Sequence, residues 1–167
     1  MTGLGVAIQR ASALDEAAIH ALVRSERLNP FDLDWRRFVV ARDESRVVGA
    51  VQVREHLDGS RELGSLVVHP AVRHRGIATR LVDAALASHA LRVFMITGAS
   101  FTRHYARWGF RPIEAHRAPW PVVANYWLGR LAGIQSRLAG RAPKPLAVLE
   151  RRASSAPWRS QGPWPAV

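Results

Sequence analysis

One stretch of the chain joins the end of a strand, a basic loop and the start of a helix. It runs from Leu66 to Leu81 and reads LVVHPAVRHRGIATRL. Two small residues, Gly76 and Ala78, fall at the first turn of the predicted helix, where backbone N–H groups lack an intrahelical partner and carry the positive end of the dipole. Because small residues let an anion approach these amides closely, the stretch predicts a diphosphate-binding site.

Basic side chains surround this predicted site. They are Arg73, His74, Arg75 and Arg80, and their charge would favour a phosphate-bearing ligand. The alternative is that the arginines are solvated loop charges and that Gly76 serves helix–strand packing. The order Arg-x-x-Gly-x-Ala is not the dinucleotide-binding fingerprint, because the glycine spacing differs and no acidic residue follows about 20 positions later.

The elements that position this stretch follow from hydrophobic periodicity and turn residues. Alternating or short apolar runs predict six strands, and helical spacing of apolar residues predicts four helices. The strands are expected over 6–10, 38–41, 47–54, 62–68, 93–97 and 146–149. The helices are expected over 12–24, 76–89, 100–108 and 123–138. Because strands and helices alternate without a second core, the pattern favours one α/β domain.

Composition excludes several classes of protein. The 167 residues are 48% hydrophobic and 22% charged, which is typical of one globular domain. The absence of cysteine excludes disulfides, thiolate metal sites and a cysteine nucleophile. The seven histidines show no metal-ligand spacing, and no Gly-x-Ser-x-Gly hydrolase motif occurs. No apolar run reaches the ~18 residues of a membrane span, and no secretory signal begins the chain, so we expect a cytoplasmic protein.

Positive charge is concentrated in the last third of the sequence. The formal net charge is +11, from 24 basic and 13 acidic residues. From Ala115 onward there are eight basic residues and a single acid, Glu150. A phosphate-bearing ligand, nucleic acid or an anionic membrane surface would each be attracted there, although a bias toward arginine can also reflect genome composition.

Two motifs resemble the GNAT acetyltransferase superfamily. Its acetyl-CoA signature reads Gln/Arg-x-x-Gly-x-Gly/Ala after a strand ending in Val-x-Pro, which resembles the segment from Val68 to Ala78. A second segment, Tyr105 to Phe110, resembles the family's Tyr-x-x-x-Gly-Phe. The order of elements over residues 6–110 is also similar to that of the family, so the resemblance covers about two-thirds of the chain.

The resemblance implies an α/β (α+β) fold. We expect a central mixed, mostly antiparallel sheet of six to seven strands flanked by helices, with a V-shaped splay between strands 4 and 5. Residues 1–151 would form a single acetyltransferase domain, of which 116–151 diverges from the family pattern. Residues 152–167, rich in Pro, Ser and Trp, would form a flexible tail.

The resemblance also implies a site for acetyl-CoA as co-substrate, without a metal. Pantetheine would bind backbone groups of a bulged strand segment, Leu66, Val67 and Val68, and an amide near Val67 or Val68 would polarise the thioester carbonyl. The diphosphate would bind backbone amides of the following loop and helix. These amides belong to Arg73, His74, Arg75, Gly76, Ile77, Ala78 and Thr79.

Two side chains are candidates for proton transfer in the implied reaction. Glu62 would accept the amine proton, through water, and Tyr105 would stabilise or protonate the departing thiolate. Alternatively, Glu62 is a strand-surface carboxylate and Tyr105 is a core aromatic residue. Residues 27–37, with Phe31 and Trp35, would form one wall of the acceptor pocket. Asp32 and Asp34 in that segment would either attract a cationic amine or keep the loop soluble.

The sequence therefore predicts an N-acetyltransferase that moves an acetyl group to a primary amine of a small molecule, amino-acid-like ones included, or of a protein. The alternative is a non-catalytic module on the same fold that senses CoA or binds nucleic acid. Nucleic-acid binding is disfavoured, because no nucleic-acid motif accompanies the positive charge. A homodimer is left open.

Overall fold

A computed structural model of the protein describes residues 5–87, 89, 91–138 and 145–152, with side chains in the last helix described up to residue 132. Seven strands form one sheet. They are β1 (Ala7–Arg10), β2 (Phe38–Asp43), β3 (Arg46–Glu55), β4 (Arg61–Val68), β5 (Val93–Gly98), β6 (Arg111–Ile113) and β7 (Leu146–Arg151). Four α-helices accompany it. They are α1 (Glu16–Ser25), α2 (Ile77–Ala87), α3 (Thr102–Tyr105) and α4 (Trp120–Leu138).

The strands lie in the order β1-β2-β3-β4-β5-β7-β6. Each neighbouring pair is antiparallel except β4 and β5, which run parallel. The predicted α/β fold, with a mixed, mostly antiparallel sheet flanked by helices, is confirmed. The sequence pattern does not indicate β6, because a strand of three residues that includes Pro112 is too short to show alternation.

Helix α2 covers one face of the sheet. Its apolar stripe, predicted from the sequence, is buried, and Leu81 and Val82 are fully inaccessible. This stripe forms one core with residues from β3, β4, β5 and β7, among them Val51, Leu63 and Leu149. Burial of an amphipathic face is what stabilises a helix of this length, so α2 is a rigid element behind the loop that precedes it.

Replacing Leu81 by alanine is expected to lower the free energy of unfolding by about 2–5 kcal/mol, because the change leaves a cavity in this core. Leu128→Ala is the matched control, since Leu128 is 59% exposed and its loss is expected to cost less than about 0.5 kcal/mol. Urea denaturation of both variants measures the difference. Equal stability of the two variants would contradict the packing of α2.

The opposite face of the sheet carries α1 and α4. Ile19 and Val23 of α1 pack against Phe38 of β2, whereas Val122 of α4 packs against Phe94 of β5. These two apolar clusters are separate. Strands β3 and β4 place buried polar residues on the face between them, namely Gln52, Arg54 and Glu62.

The predicted helices differ in detail from the structure. The segment after Ser12 begins as a 3-10 turn over 13–15 before α1, and the N–H and hydroxyl of Ser12 both donate to Asp15 Oδ2, at 2.8 and 2.9 Å. The predicted helix over 100–108 is divided into a 3-10 turn, α3 and a second 3-10 turn. Gly109 ends it in the left-handed conformation with φ of 80°.

The C-terminal predictions are tested only in part. Helix α4 begins at Trp120, three residues before the predicted start, and β7 extends the predicted last strand to Arg151. The tail from Ala153 onward lies outside the described residues, so the division into 1–151 and 152–167 stays a prediction. In the part of the chain that the structure describes, no helix is both long and apolar enough to cross a membrane.

Candidate active site

The site begins at a fork in the sheet between β4 and β5. Only three residue pairs join these parallel strands, Arg61 with Val93, Glu62 with Phe94 and Leu63 with Met95. Beyond this point, Gly64, Val67 and Val68 pair with β3, and Ile96 to Gly98 pair with β7. The predicted V-shaped splay is therefore confirmed, and it leaves backbone groups of both strands available to a ligand between them.

A bulge in β4 lies at the fork. Gln52 of β3 pairs with Gly64, but Ala50 pairs with Val67, so β4 has one residue more than β3 across this interval. Ser65, inside the bulge, adopts the left-handed conformation with φ of 54°, which is uncommon for a residue other than glycine. The bulge turns the predicted pantetheine-binding segment, Leu66 to Val68, away from β5.

The loop between β4 and α2 is fixed by Arg73. Its Nε donates to the carbonyl of Val68 at 3.0 Å, its Nη2 lies 2.5 Å from Glu26 Oε2 at the end of α1, and its amide donates to the carbonyl of Pro70 at 3.3 Å. Both the side chain and the amide of Arg73 are thus already paired with groups of the protein. Arg73 therefore fixes the position of the loop whose later amides, from His74 onward, face the predicted ligand.

The first turn of α2 presents backbone amides at the mouth of the fork. Arg80 N–H donates to the carbonyl of Gly76 at 3.1 Å and closes the first helical turn, so the amides of Ile77, Ala78 and Thr79 precede the first intrahelical donor. Gly76 has φ of 74°, and a Cβ built there meets no atom within 4 Å. The backbone at Gly76 is thus open to a ligand, and His74 and Arg75 beside it are exposed. This arrangement fits a diphosphate.

Tyr105 lies beside the other arm of the fork. Its side chain is buried, Thr97 on the splayed part of β5 lies close to its hydroxyl, and burial raises the pKa of Tyr105 above its usual value. Trp108 and Phe110 pack around its ring. The hydroxyl therefore stays protonated at neutral pH, as a proton donor must.

Glu62 lies at the base of the fork on the other face of the sheet. Its side chain is 5% exposed. Its Oε1 accepts from Arg54 Nη1 at 3.2 Å, while Oε2 lies 3.2 Å from His56 Nε2 and accepts from Asn125 Nδ2 at 2.9 Å. The alternative that Glu62 is an ordinary strand-surface carboxylate is wrong, because the residue is buried among these three partners. Its role as a base stays a prediction.

Sequence reasoning missed the three partners of Glu62. Asn125 is 63 positions away, and its place in α4 gives no local signal. Arg54 and Gln52 alternate with Val51 and Val53 on β3, and this alternation is the pattern of a strand with one buried face. The structure instead covers the polar face with the segment before β2, and both residues are buried, at most 4% exposed.

The predicted acceptor wall, residues 27–37, lies over these polar residues. Asp32 has φ of 55°, its carbonyl accepts from Gln52 Nε2 at 3.2 Å, and its carboxylate accepts from Arg37 Nη1 at 2.9 and 3.0 Å. Asp34 caps a 3-10 turn by accepting from the amide of Arg36 at 3.0 Å, and this hydrogen bond lowers the pKa of Asp34. Each carboxylate is therefore already paired with an arginine. Phe31 is 75% exposed.

Comparison with known proteins agrees with this geometry. Residues 34–112 match the profile of the acetyltransferase (GNAT) domain. Rv2747 from Mycobacterium tuberculosis, solved in complex with CoA, has a TM-score of 0.66 and 23% identity over 87% of this chain and 98% of its own. ElaA from Escherichia coli has a TM-score of 0.62 and 14% identity over 89% of this chain and 100% of its own. No sequence among the curated proteins matches.

A longer protein contains a similar domain. N-acetylglutamate synthase from Neisseria gonorrhoeae, complexed with coenzyme A and L-arginine, has a TM-score of 0.66 and 18% identity over 88% of this chain. This chain spans 33% of that enzyme's length. The resemblance to GNAT acetyltransferases is thereby confirmed, and the fold is theirs. Within the described residues, no group of three or more His, Cys, Asp or Glu could hold a metal ion.

Proposed function

We propose that this protein is an acetyl-CoA-dependent N-acetyltransferase. The acceptor would be a primary amine of a small molecule, amino-acid-like ones included, or of a protein. One observation carries the proposal: the fork, with its bulged strand, opens beside the amides at the start of α2. A thioester such as acetyl-CoA fits both features, because its long amide-containing arm would lie in the fork and its diphosphate would lie at the amides.

The donor side would be held mainly by backbone groups. The segment from Leu66 to Val68 would bind the pantetheine amides, and an N–H of Val67 or Val68 would donate to the thioester carbonyl. The amides of Gly76 to Thr79 would bind the diphosphate, with His74 and Arg75 adding positive charge. Acetyl-CoA would supply an acetyl group already activated as a thioester. The CoA complexes of Rv2747 and of the gonococcal synthase support this choice of donor.

Two protons must move when an ammonium acceptor becomes an amide. The reaction breaks the thioester C–S bond, forms an amide C–N bond, transfers one proton to the thiolate and releases a second to solvent. Glu62 would take a proton from the acceptor, and the hydroxyl of Tyr105 would donate to the sulfur. Glu62 shares the sheet face of Phe94 and α4, whereas Tyr105 lies in the core with α2. An amine arriving from one face and a thiolate leaving on the other would suit these positions.

The decisive experiment measures CoA release with a thiol reagent, using the purified protein, acetyl-CoA and a panel of amines, with mass spectrometry to detect N-acetyl products. The proposal expects CoA release that depends on an amine. A CoA-sensing module would bind acetyl-CoA without cleaving it to CoA. A nucleic-acid-binding module would bind nucleic acid with an affinity that falls steeply as salt concentration rises. Either result, together with no acetylated product, would overturn the proposal.

Glu62→Gln is expected to lower kcat/KM about tenfold at neutral pH, because the acceptor loses its base. The variant should recover as pH rises, since the free-amine fraction of the acceptor grows tenfold per pH unit below its own pKa. A pH–rate profile of both proteins measures this. Wild-type activity should level off at a lower pH than the variant's. Parallel profiles would show that Glu62 acts only in the structure.

A further inference from the structure

A cluster of polar side chains lies at the fork, on the sheet face that carries α1 and α4, and two of its buried polar atoms lack a hydrogen-bond partner in the described part of the chain. It consists of Asp32, Arg37, Gln52, Arg54, Glu62 and Ser65, and we call it the fork cluster. Gln52 Nε2 and Arg54 Nη2 both donate to the hydroxyl of Ser65, at 3.0 and 3.1 Å. Within the described part of the chain, however, Gln52 Oε1 and Arg54 Nε are buried without a hydrogen-bond partner.

Gln52 Oε1 is a buried acceptor and Arg54 Nε is a buried donor. A buried polar atom without a partner is destabilising, so two in one cluster indicate that a ligand or solvent forms hydrogen bonds with them. An acceptor oxygen suits an amine N–H, and a guanidinium N–H suits a carboxylate. Because Ser65 and Asp32 contact both side chains, the two unpartnered atoms belong to one small site.

Asp32 already supplies a carboxylate to this cluster. Its Oδ2 lies 3.7 Å from Arg54 Nε, which is an ion pair without a hydrogen bond, and its two oxygens accept from Arg37 Nη1. The Asp32 side chain is 52% exposed, whereas that of Arg54 is 5% exposed. The backbone of Asp32 is also in the left-handed conformation, which is strained for a residue other than glycine. Of this pair, Asp32 is therefore the member that a ligand can replace.

We propose that the fork cluster binds an α-amino acid as the acceptor, whose carboxylate replaces that of Asp32 between Arg37 and Arg54 and whose amine donates to Gln52 Oε1. This inference rests on the proposed function and names the acceptor class. The exchange puts one carboxylate in the place of another, so the buried charge of Arg54 stays balanced by Glu62 and an anion. An amine without a neighbouring carboxylate, such as a lysine side chain or a protein N-terminus, would leave Arg54 Nε unsatisfied.

The test compares each α-amino acid with its own amide, which keeps the amine and removes the negative charge. For the amino acid that is turned over best, kcat/KM should exceed that of its amide by about tenfold or more, as expected for a charge-assisted pair. Arg37→Gln should reduce this preference severalfold through KM. Arg36→Gln is the matched control, because Arg36 is 70% exposed, stacks on Trp35 and pairs with Asp34.

A second variant keeps the inference testable, since changing Arg54 would leave Glu62 buried without its charge partner. Asp32→Asn removes the competing carboxylate and should lower KM for amino acids but not for their amides. Calorimetric titration of the CoA-saturated protein with the amino acid provides a readout apart from turnover, and Arg37→Gln should weaken that binding.

The outcomes separate the two proposals. Amides acetylated as well as amino acids, or equal effects of the Arg36 and Arg37 substitutions, would overturn the acceptor class and leave the acetyltransferase standing. Amino-acid binding that depends on Arg37, without any acetylated product, would overturn the acetyltransferase and leave the site standing. No binding of any amino acid to the CoA-saturated protein would overturn the acceptor class.

Discussion

Gly76→Val is expected to weaken CoA binding by about a hundredfold or more, which corresponds to about 3 kcal/mol. Two effects add. The left-handed φ of 74° at Gly76 is costly for a β-branched residue, and an isopropyl group would occupy the open space beside the amides of Ile77 and Ala78. A diphosphate bound by short N–H contacts could not approach them. Calorimetric titration with CoA measures the loss.

The control for this substitution is Gly59→Val. Gly59 has φ of 77° and, like Gly76, a Cβ built on it meets no atom within 4 Å, but it lies in the turn between β3 and β4. Both variants should therefore lose similar stability from backbone strain, and only the Gly76 variant should lose CoA affinity. Unchanged affinity in a folded Gly76→Val protein would remove the start of α2 from the donor site.

Tyr105→Phe is expected to lower kcat by about 10²- to 10³-fold, because the departing thiolate loses its proton donor. Burial raises the pKa of Tyr105, so the wild-type hydroxyl should remain protonated up to at least the usual tyrosine value near 10. CoA affinity should change little, since the ring still packs against Trp108 and Phe110. Single-turnover kinetics and CoA titration separate the two effects.

The chain contains one other tyrosine, which makes Tyr126→Phe the matched control. The Tyr126 hydroxyl accepts a hydrogen bond from Arg130 Nη1 at 3.2 Å on α4, and its removal should leave turnover within about threefold of wild type. Wild-type kcat in Tyr105→Phe would mean that the residue is a core aromatic and that water protonates the thiolate.

Much of the fold could be predicted because its main elements have strong local signals. The apolar stripe of α2 and the apolar run of β5 are each long enough for the sequence pattern to indicate that these residues are buried. The loop proposed to hold the donor has an equally local signal, because Gly76 and the arginines before it lie within a few residues of one another. The predictions were wrong or missing for the shortest elements. Strand β6 and the segments of the divided helix over 99–108 have too few residues to show a periodic pattern.

The acceptor side could be predicted only in outline. Residues 27–37 do lie over β3, but the pairing of Asp32 with Arg37 and Arg54 depends on three separate elements. Arg54 and Glu62 are charged residues on strands. A sequence indicates whether such residues are exposed only through the alternation of apolar and polar positions, and that alternation would place both on a solvent-exposed face. Their burial arises from the loop and from α4 above them, which are contacts between distant parts of the chain.

The place of β7 inside the sheet affects how this protein must fold. Val93 to Gly98 pair along their whole length with residues 146–151, and β6 attaches to the sheet through β7 alone. During synthesis, the first four strands can associate as successive neighbours, but the splayed part of β5, Ile96 to Gly98, pairs only with residues 146–148 among the described strands and must wait for them to leave the ribosome. The fork is therefore assembled last, and nascent chains ending before residue 146 would expose the edge of β5 to pairing with other molecules.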